Sequence, residues 1–283
     1  MKLESERESE NVQDRRGGLG RAGGWGIGSI IVALILSYLF GIDPSVLLGV
    51  ADNVRGVQQS GAPIDPSVDP QAHLVSEMKK ILAKTEDTWG VLFQEMGGRY
   101  AKPQLVLYSG STQTSCGQGQ AAMGPFYCPQ DQSVYLDLRF FDQMERRFKA
   151  GGDFARAYVI AHEIGHHVQN QVGITRKTQA MRSRMSEREY NKVSVRVELQ
   201  ADCFAGVWAY HANNEKPFIE PGDIEEAIRA ASAVGDDALQ RASRGTVVPD
   251  SFTHGTSMQR VSWFKRGFDT GSVKACDTFS SNL

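Results

Sequence analysis

Residues 161–171 read AHEIGHHVQNQ, and both the fold and the chemistry turn on this stretch. His162 and His166 stand four apart around Glu163, the pattern HExxH. On a helix, positions i and i+4 lie one above the other on the same face. Two imidazoles so placed can share one Zn²⁺ at about 2.0–2.1 Å. Glu163 then faces the same ion and can take the proton of an attacking water. The plain alternative is a helix carrying two surface histidines. Against it, the chain has only six histidines, and the flanking residues supply the helix the motif requires. Phe154, Ala157, Tyr158, Ala161, Ile164 and Val168 make one apolar stripe, which predicts a helix over about 153–170. His167 points about 100° away around that helix and is read as a non-ligand.

A catalytic zinc needs a third protein ligand and an open fourth position. The metzincin pattern HExxHxxGxxH is excluded, because Gln169 stands at its Gly position and Val172 at its last His position. Glu198, in VELQADCFAG (197–206), is the better candidate. A carboxylate inside a largely apolar helix must be paired or bound to metal. Asp202 lies four residues on, on the same face, and can accept the free N–H of a ligand histidine. The alternative for Glu198 is an ion pair with an arginine such as Arg196. Glu-x-x-x-Asp on a helix after HExxH is the gluzincin pattern.

Peptide hydrolysis also needs a donor for the developing oxyanion. His254, in FTHGTSMQR (252–260), is the catalytic candidate, with Tyr210 and His211 as alternatives. A loop-ordering role for His254 weighs equally. GPFYCP (124–129) and SVYLDL (133–138), separated by QDQ, read as a hairpin. The first can be an edge strand that pairs with extended substrate backbone, or ordinary sheet. In SVYLDL the alternation of Val134, Leu136 and Leu138 predicts one buried face.

The remaining periodicities predict a helix over 71–96, a strand over 103–108, a solvated charged helix or arm over 175–192 and a buried helix over 193–212. A further helix starts at Asp223, where Glu226 completes a capping box, and stops near Gly235. The last spans about 257–268, with Met258, Val261, Phe264 and Phe268 on one side. Helices with a small sheet give an α+β domain.

Residues 25–42, WGIGSIIVALILSYLFGI, hold no charge and nearly span a hydrocarbon core of about 30 Å. They show no amphipathic period, and no A-x-A-like cleavage site follows. They read as one N-terminal transmembrane helix. Lys2, Arg7, Arg15, Arg16 and Arg21 precede it, and only Arg55 follows within twenty residues. The positive-inside rule then puts the N-terminus in the cytoplasm and the domain in the periplasm or outside the cell. The expected organisation is a disordered cytoplasmic tail (1–24), the membrane helix (25–42), a linker (43–70) and the domain (71–283). Cys116, Cys128, Cys203 and Cys276 all follow the helix, as disulfides on the oxidising side require. Four cysteines allow three pairings. Cys116–Cys128 is the local one, leaving Cys203–Cys276. No CxxC spacing suggests a zinc–thiolate site. A net charge of −2 gives no reason to expect nucleic acid as a partner.

AHEIGHHVQNQ, ELQADCFAGVWA, PDSFTHGTSMQRVSWF and CGQGQAAMGPFYCPQDQSVYLDLRFF together resemble the bacterial neutral zinc metallopeptidases. The resemblance runs from ESENVQDRR near the N-terminus to about residue 268. It implies a zincin-like fold, one Zn²⁺ per chain on His162, His166 and Glu198, Glu163 as base and a polypeptide substrate. The sequence departs from thermolysin-like enzymes in the 32 residues from His166 to Glu198 and in Val197, where those usually carry Asn. The expected activity is hydrolysis of exported or membrane-proximal polypeptides. The competing expectations are an anchored binding or chaperone module with a structural zinc, and a zinc hydrolase acting on a non-peptide amide. Glu163 separates the module from the enzymes, since a structural zinc has no use for a base.

Overall fold

The computed structural model describes residues 1–17 and 69–281. A short strand β1 (Val12–Asp14) comes first, then helix α1 (Ala72–Glu95) and strand β2 (Gln104–Tyr108). A hairpin of β3 (Ser111–Thr114) and β4 (Gly117–Gln120) leads to β5 (Phe126–Cys128) and β6 (Ser133–Asp137). The rest is helical: α2 (Arg139–Gln143), α3 (Asp153–Gln171), α4 (Ile174–Arg182), α5 (Glu187–Glu215), α6 (Asp223–Ala233), α7 (Asp236–Arg244) and α8 (Ser257–Thr270). The architecture is mixed α+β, mostly helical with a small sheet.

That sheet has the order β1-β2-β6-β5, parallel except for the antiparallel β5–β6 pair. Alternation along the strands sorts the side chains. Leu105, Leu107, Val134 and Leu136 join the main core with Trp89, Phe154 and Trp208. Val106, Tyr108 and Tyr135 turn to the other face and pack with Cys128 and Phe126. Both faces of β6 are therefore buried, where the alternation predicted one.

Three helices carry the site, and glycines bring their backbones together. A Cβ on Gly165 of α3 would stand 2.8 Å from the Ala201 carbonyl oxygen of α5 and 2.9 Å from the Ala201 Cα. Gly206 of α5 and Gly267 of α8 meet in the same way, each against the other helix's main chain. Helix α5 begins at Glu187, six residues before the predicted buried helix, because Ser186 and Glu189 form a full capping box. Thr256 and Gln259 form another at the start of α8. The box predicted for Asp223 and Glu226 does not form. Asp223 instead accepts the Glu220 N–H, and Glu226 accepts the Phe154 N–H at the start of α3. Met258, placed on the apolar side of the last helix, is 80% exposed. The buried residues of α8 are Arg260, Trp263, Phe264 and Gly267.

Both expected disulfides are present, Cys116–Cys128 and Cys203–Cys276. The first closes 12 residues and the second 73. Loop-closure entropy makes the second worth roughly 4 kcal/mol and the first about 3. Replacing Cys203 and Cys276 by Ala should therefore lower unfolding free energy more than replacing Cys116 and Cys128, as chemical denaturation measures.

The expected disordered tail is corrected over residues 1–17. Leu3 is buried in the main core, the Lys2 amide donates to the Phe218 carbonyl, and β1 adds a parallel strand to β2. The charged residues that suggested disorder have partners far along the chain. The Glu86 side chain is fully buried and accepts from Ser9 (2.6 Å), Asn11 (2.7 Å) and Arg7 (2.9 Å). Arg16 lies buried between Asp14 and Asp69, 2.6 Å from each. Residues 18–24, the predicted membrane helix and nearly all of the linker lie outside the described residues. Among the described residues, no helix is long and apolar enough to cross a membrane.

Burial pushes the Glu86 carboxyl up, but the bonds from Asn11, Ser9 and Arg7 outweigh it and hold it below its ordinary value of 4.5. The sign follows from linkage: docking strength is fully present above about 4.5 and is lost as pH falls through the lower folded value. Proteolysis within residues 3–14 should accelerate below that range. Glu86→Gln should produce the same acceleration at neutral pH.

Candidate active site

Helix α3 presents His162, Glu163 and His166, and α5 presents Glu198 and Asp202. The local causes are those read from the sequence: an i, i+4 spacing on each helix, with the apolar stripes driving the two together. Among the described residues, His162, His166 and Glu198 bring one ligand atom each within 4.8 Å of one another. His162 Nε2 lies 3.2 Å from Glu198 Oε2, and His166 Nε2 lies 3.5 Å from Oε1. The outer nitrogens are held from behind, His162 Nδ1 2.8 Å from Asp202 Oδ1 and His166 Nδ1 2.9 Å from Gln169 Oε1. Two oriented imidazoles and a carboxylate form the donor set of a catalytic zinc site, so the residues fit that ion. Arg196 donates instead to the carbonyls of Thr278 and Ser281, and Glu198 has no ion pair with it.

Asp202 is fully buried and heavily engaged. Beyond His162 it accepts from the Tyr158 hydroxyl (2.5 Å) and from two nitrogens of Arg260 (2.8 and 2.9 Å). Burial pushes its carboxyl up, but the Arg260 and His162 charges prevail and hold it down to about 2. Sequence reasoning missed Arg260. The available signal was an arginine on the otherwise apolar face of α8, which must find a carboxylate.

Glu163 is buried, and burial outweighs the neighbouring histidines to raise its carboxyl above the usual range. It lines a cavity of about 630 Å³ together with His162, His166, Glu198, His254 and Arg260. Phe126, Phe140, Phe148 and Val159 form an apolar wall of the same cavity.

His254 stands at this cavity with its side chain 50% exposed, fixed by a residue the sequence reading did not select. Asp236 accepts the backbone N–H groups of Thr253, His254 and Gly255, and its other oxygen lies 3.2 Å from His254 Nδ1. That bond, opposed by burial, raises the imidazole pKa. The alternatives fall away: neither Tyr210 nor His211 lines the cavity, and His211 Nε2 bonds the Gly271 carbonyl. His167 bonds Tyr127 and the Ala101 carbonyl, and burial pushes its pKa down to about 4, so it stays neutral in the scaffold. The GPFYCP segment contains β5, an edge strand of the sheet, and lines the cavity through Pro125, Phe126 and Tyr127.

The donor set and the mixed α+β scaffold are those of a zinc-peptidase class, and residues 1–279 match the family described as "Putative neutral zinc metallopeptidase". The chain belongs to that family. It is 49% identical over 294 aligned positions to the uncharacterized protein YpfJ of Escherichia coli strain K12, covering all of both chains. It is also 44% identical over 192 positions to the uncharacterized protein Rv2575 of Mycobacterium tuberculosis H37Rv, covering 64% of each. No solved structure matches.

Proposed function

We propose that the protein is a zinc-dependent peptidase with His162, His166 and Glu198 as ligands and Glu163 as general base. The observation that carries this reading is the convergence of both Nε2 atoms and the Glu198 carboxylate beside Glu163 on one cavity. A zinc ion held there supplies Lewis acidity. Asp202 and Gln169 fix the ring planes of the two histidines and leave each Nε2 directed inward. Glu163 takes a proton from the attacking water and delivers it to the leaving amine. His254, oriented by Asp236, donates to the oxygen that gains charge. Extended substrate backbone lies against β5, and the wall of Phe126, Phe140 and Phe148 receives an apolar side chain. The two disulfides support an oxidising compartment, which makes exported polypeptides the substrates.

The test is metal analysis and cleavage of an unstructured protein by the purified full chain. We expect about one zinc per chain, held by His162, His166 and Glu198, and cleavage that a chelator removes and added zinc restores. A chain that binds no zinc would sink the assignment.

A further inference from the structure

The surface between α1 and the free side of β2 is occupied by residues 1–17, and this occupation is part of the domain's own chemistry. Glu86 is fully buried beneath the docked segment, and from the domain side Lys102 lies 3.4 Å from its carboxylate. A buried charge deprived of its hydrogen bonds is strongly unfavourable. With the segment docked, Ser9, Asn11 and Arg7 satisfy it. At the other end, Arg16 joins Asp14 to Asp69, just ahead of α1. Between these two anchors, Val12, Gln13 and Asp14 pair in register with Leu105, Val106 and Leu107. Leu3 enters the same core as Trp89 and Phe154.

Charge counting around residues 25–42 puts the N-terminal flank in the cytoplasm and the domain across the membrane. A segment on one side cannot pair with a strand on the other. Supplying the segment from a second copy does not help, because that copy's flank would occupy the same side. Two of the basic residues in the count, Arg7 and Arg16, are neutralised in the folded chain by Glu86, Asp87, Asp14 and Asp69.

We infer that residues 1–17 and the domain of residues 69–281 lie on the same side of the membrane, with the segment docked on the α1–β2 surface.

Two reporters test this in the full-length protein, Glu10→Cys in the segment and Lys177→Cys on α4, made singly. Both positions are exposed, and the four native cysteines are already paired. A membrane-impermeant maleimide is applied to bacterial spheroplasts carrying each variant and to the same cells after lysis. The two reporters should behave alike, both labelled before lysis or both protected until lysis. Labelling of Lys177→Cys in spheroplasts with loss of labelling at Glu10→Cys, or the reverse, would overturn the inference.

Discussion

Glu163→Gln should lower peptide hydrolysis by about 10²–10⁴-fold, the usual worth of a positioned general base, while zinc content stays unchanged. The amide has nearly the same shape but cannot accept a proton at neutral pH. Glu163 is not among the converging ligand atoms, which come from His162, His166 and Glu198. Removing its charge therefore leaves the donor set intact. Metal analysis beside the rate assay makes the result specific. A variant that loses both zinc and activity would show Glu163 to be part of the metal site. A variant that retains full activity would show that another group takes the proton.

The second large effect lies behind the ligands. Asp202→Ala should destabilise the protein by about 3–5 kcal/mol, the cost of stranding a buried charge. The stranded group is the Arg260 guanidinium, whose side chain is 4% exposed and which, among the described residues, is ion-paired with Asp202 alone. The same substitution frees the His162 ring and should weaken zinc binding by about 10–100-fold, as loss of a supporting carboxylate does. Denaturant unfolding and competition with a zinc chelator measure the two losses separately. Adding Arg260→Met to Asp202→Ala should recover much of the stability, because the unpaired charge goes with it, and little of the zinc affinity, because His162 Nδ1 still lacks its acceptor. A double variant as unstable as the single one would mean that the burial of Arg260 is not the source of the cost.

These residues also show what the sequence could disclose. His162, Glu163 and His166 were legible because helix geometry and metal chemistry impose one spacing. Glu198 and Asp202 were legible because an acidic pair within an apolar stretch needs an explanation. Arg260, Asp236 and Gln169 were not, since each acts through a partner distant in the chain or through backbone N–H groups that leave no pattern. The capping boxes teach the same lesson twice. Ser186 and Glu189 carry the local signature and form the box, whereas Asp223 and Glu226 carry it and are drawn into contacts with Glu220 and Phe154 instead. Local propensity decides only where tertiary contacts do not compete. The N-terminal segment is the largest omission. Its charges read as disorder, and the buried carboxylate that recruits them sits some eighty residues away on α1.

The close approach at Gly165 has a consequence for sequence drift. With main chain set against main chain at Ala201, the separation of the two ligand-bearing helices does not depend on the bulk of the side chains around them. Exchanges among Leu, Ile, Val and Phe elsewhere in the interior should therefore act on stability before they act on the spacing of the candidate site. A single methyl group at position 165 would spread the helices directly. That glycine, one of the two unspecified letters of HExxH, acts in this chain as the gauge of the pocket.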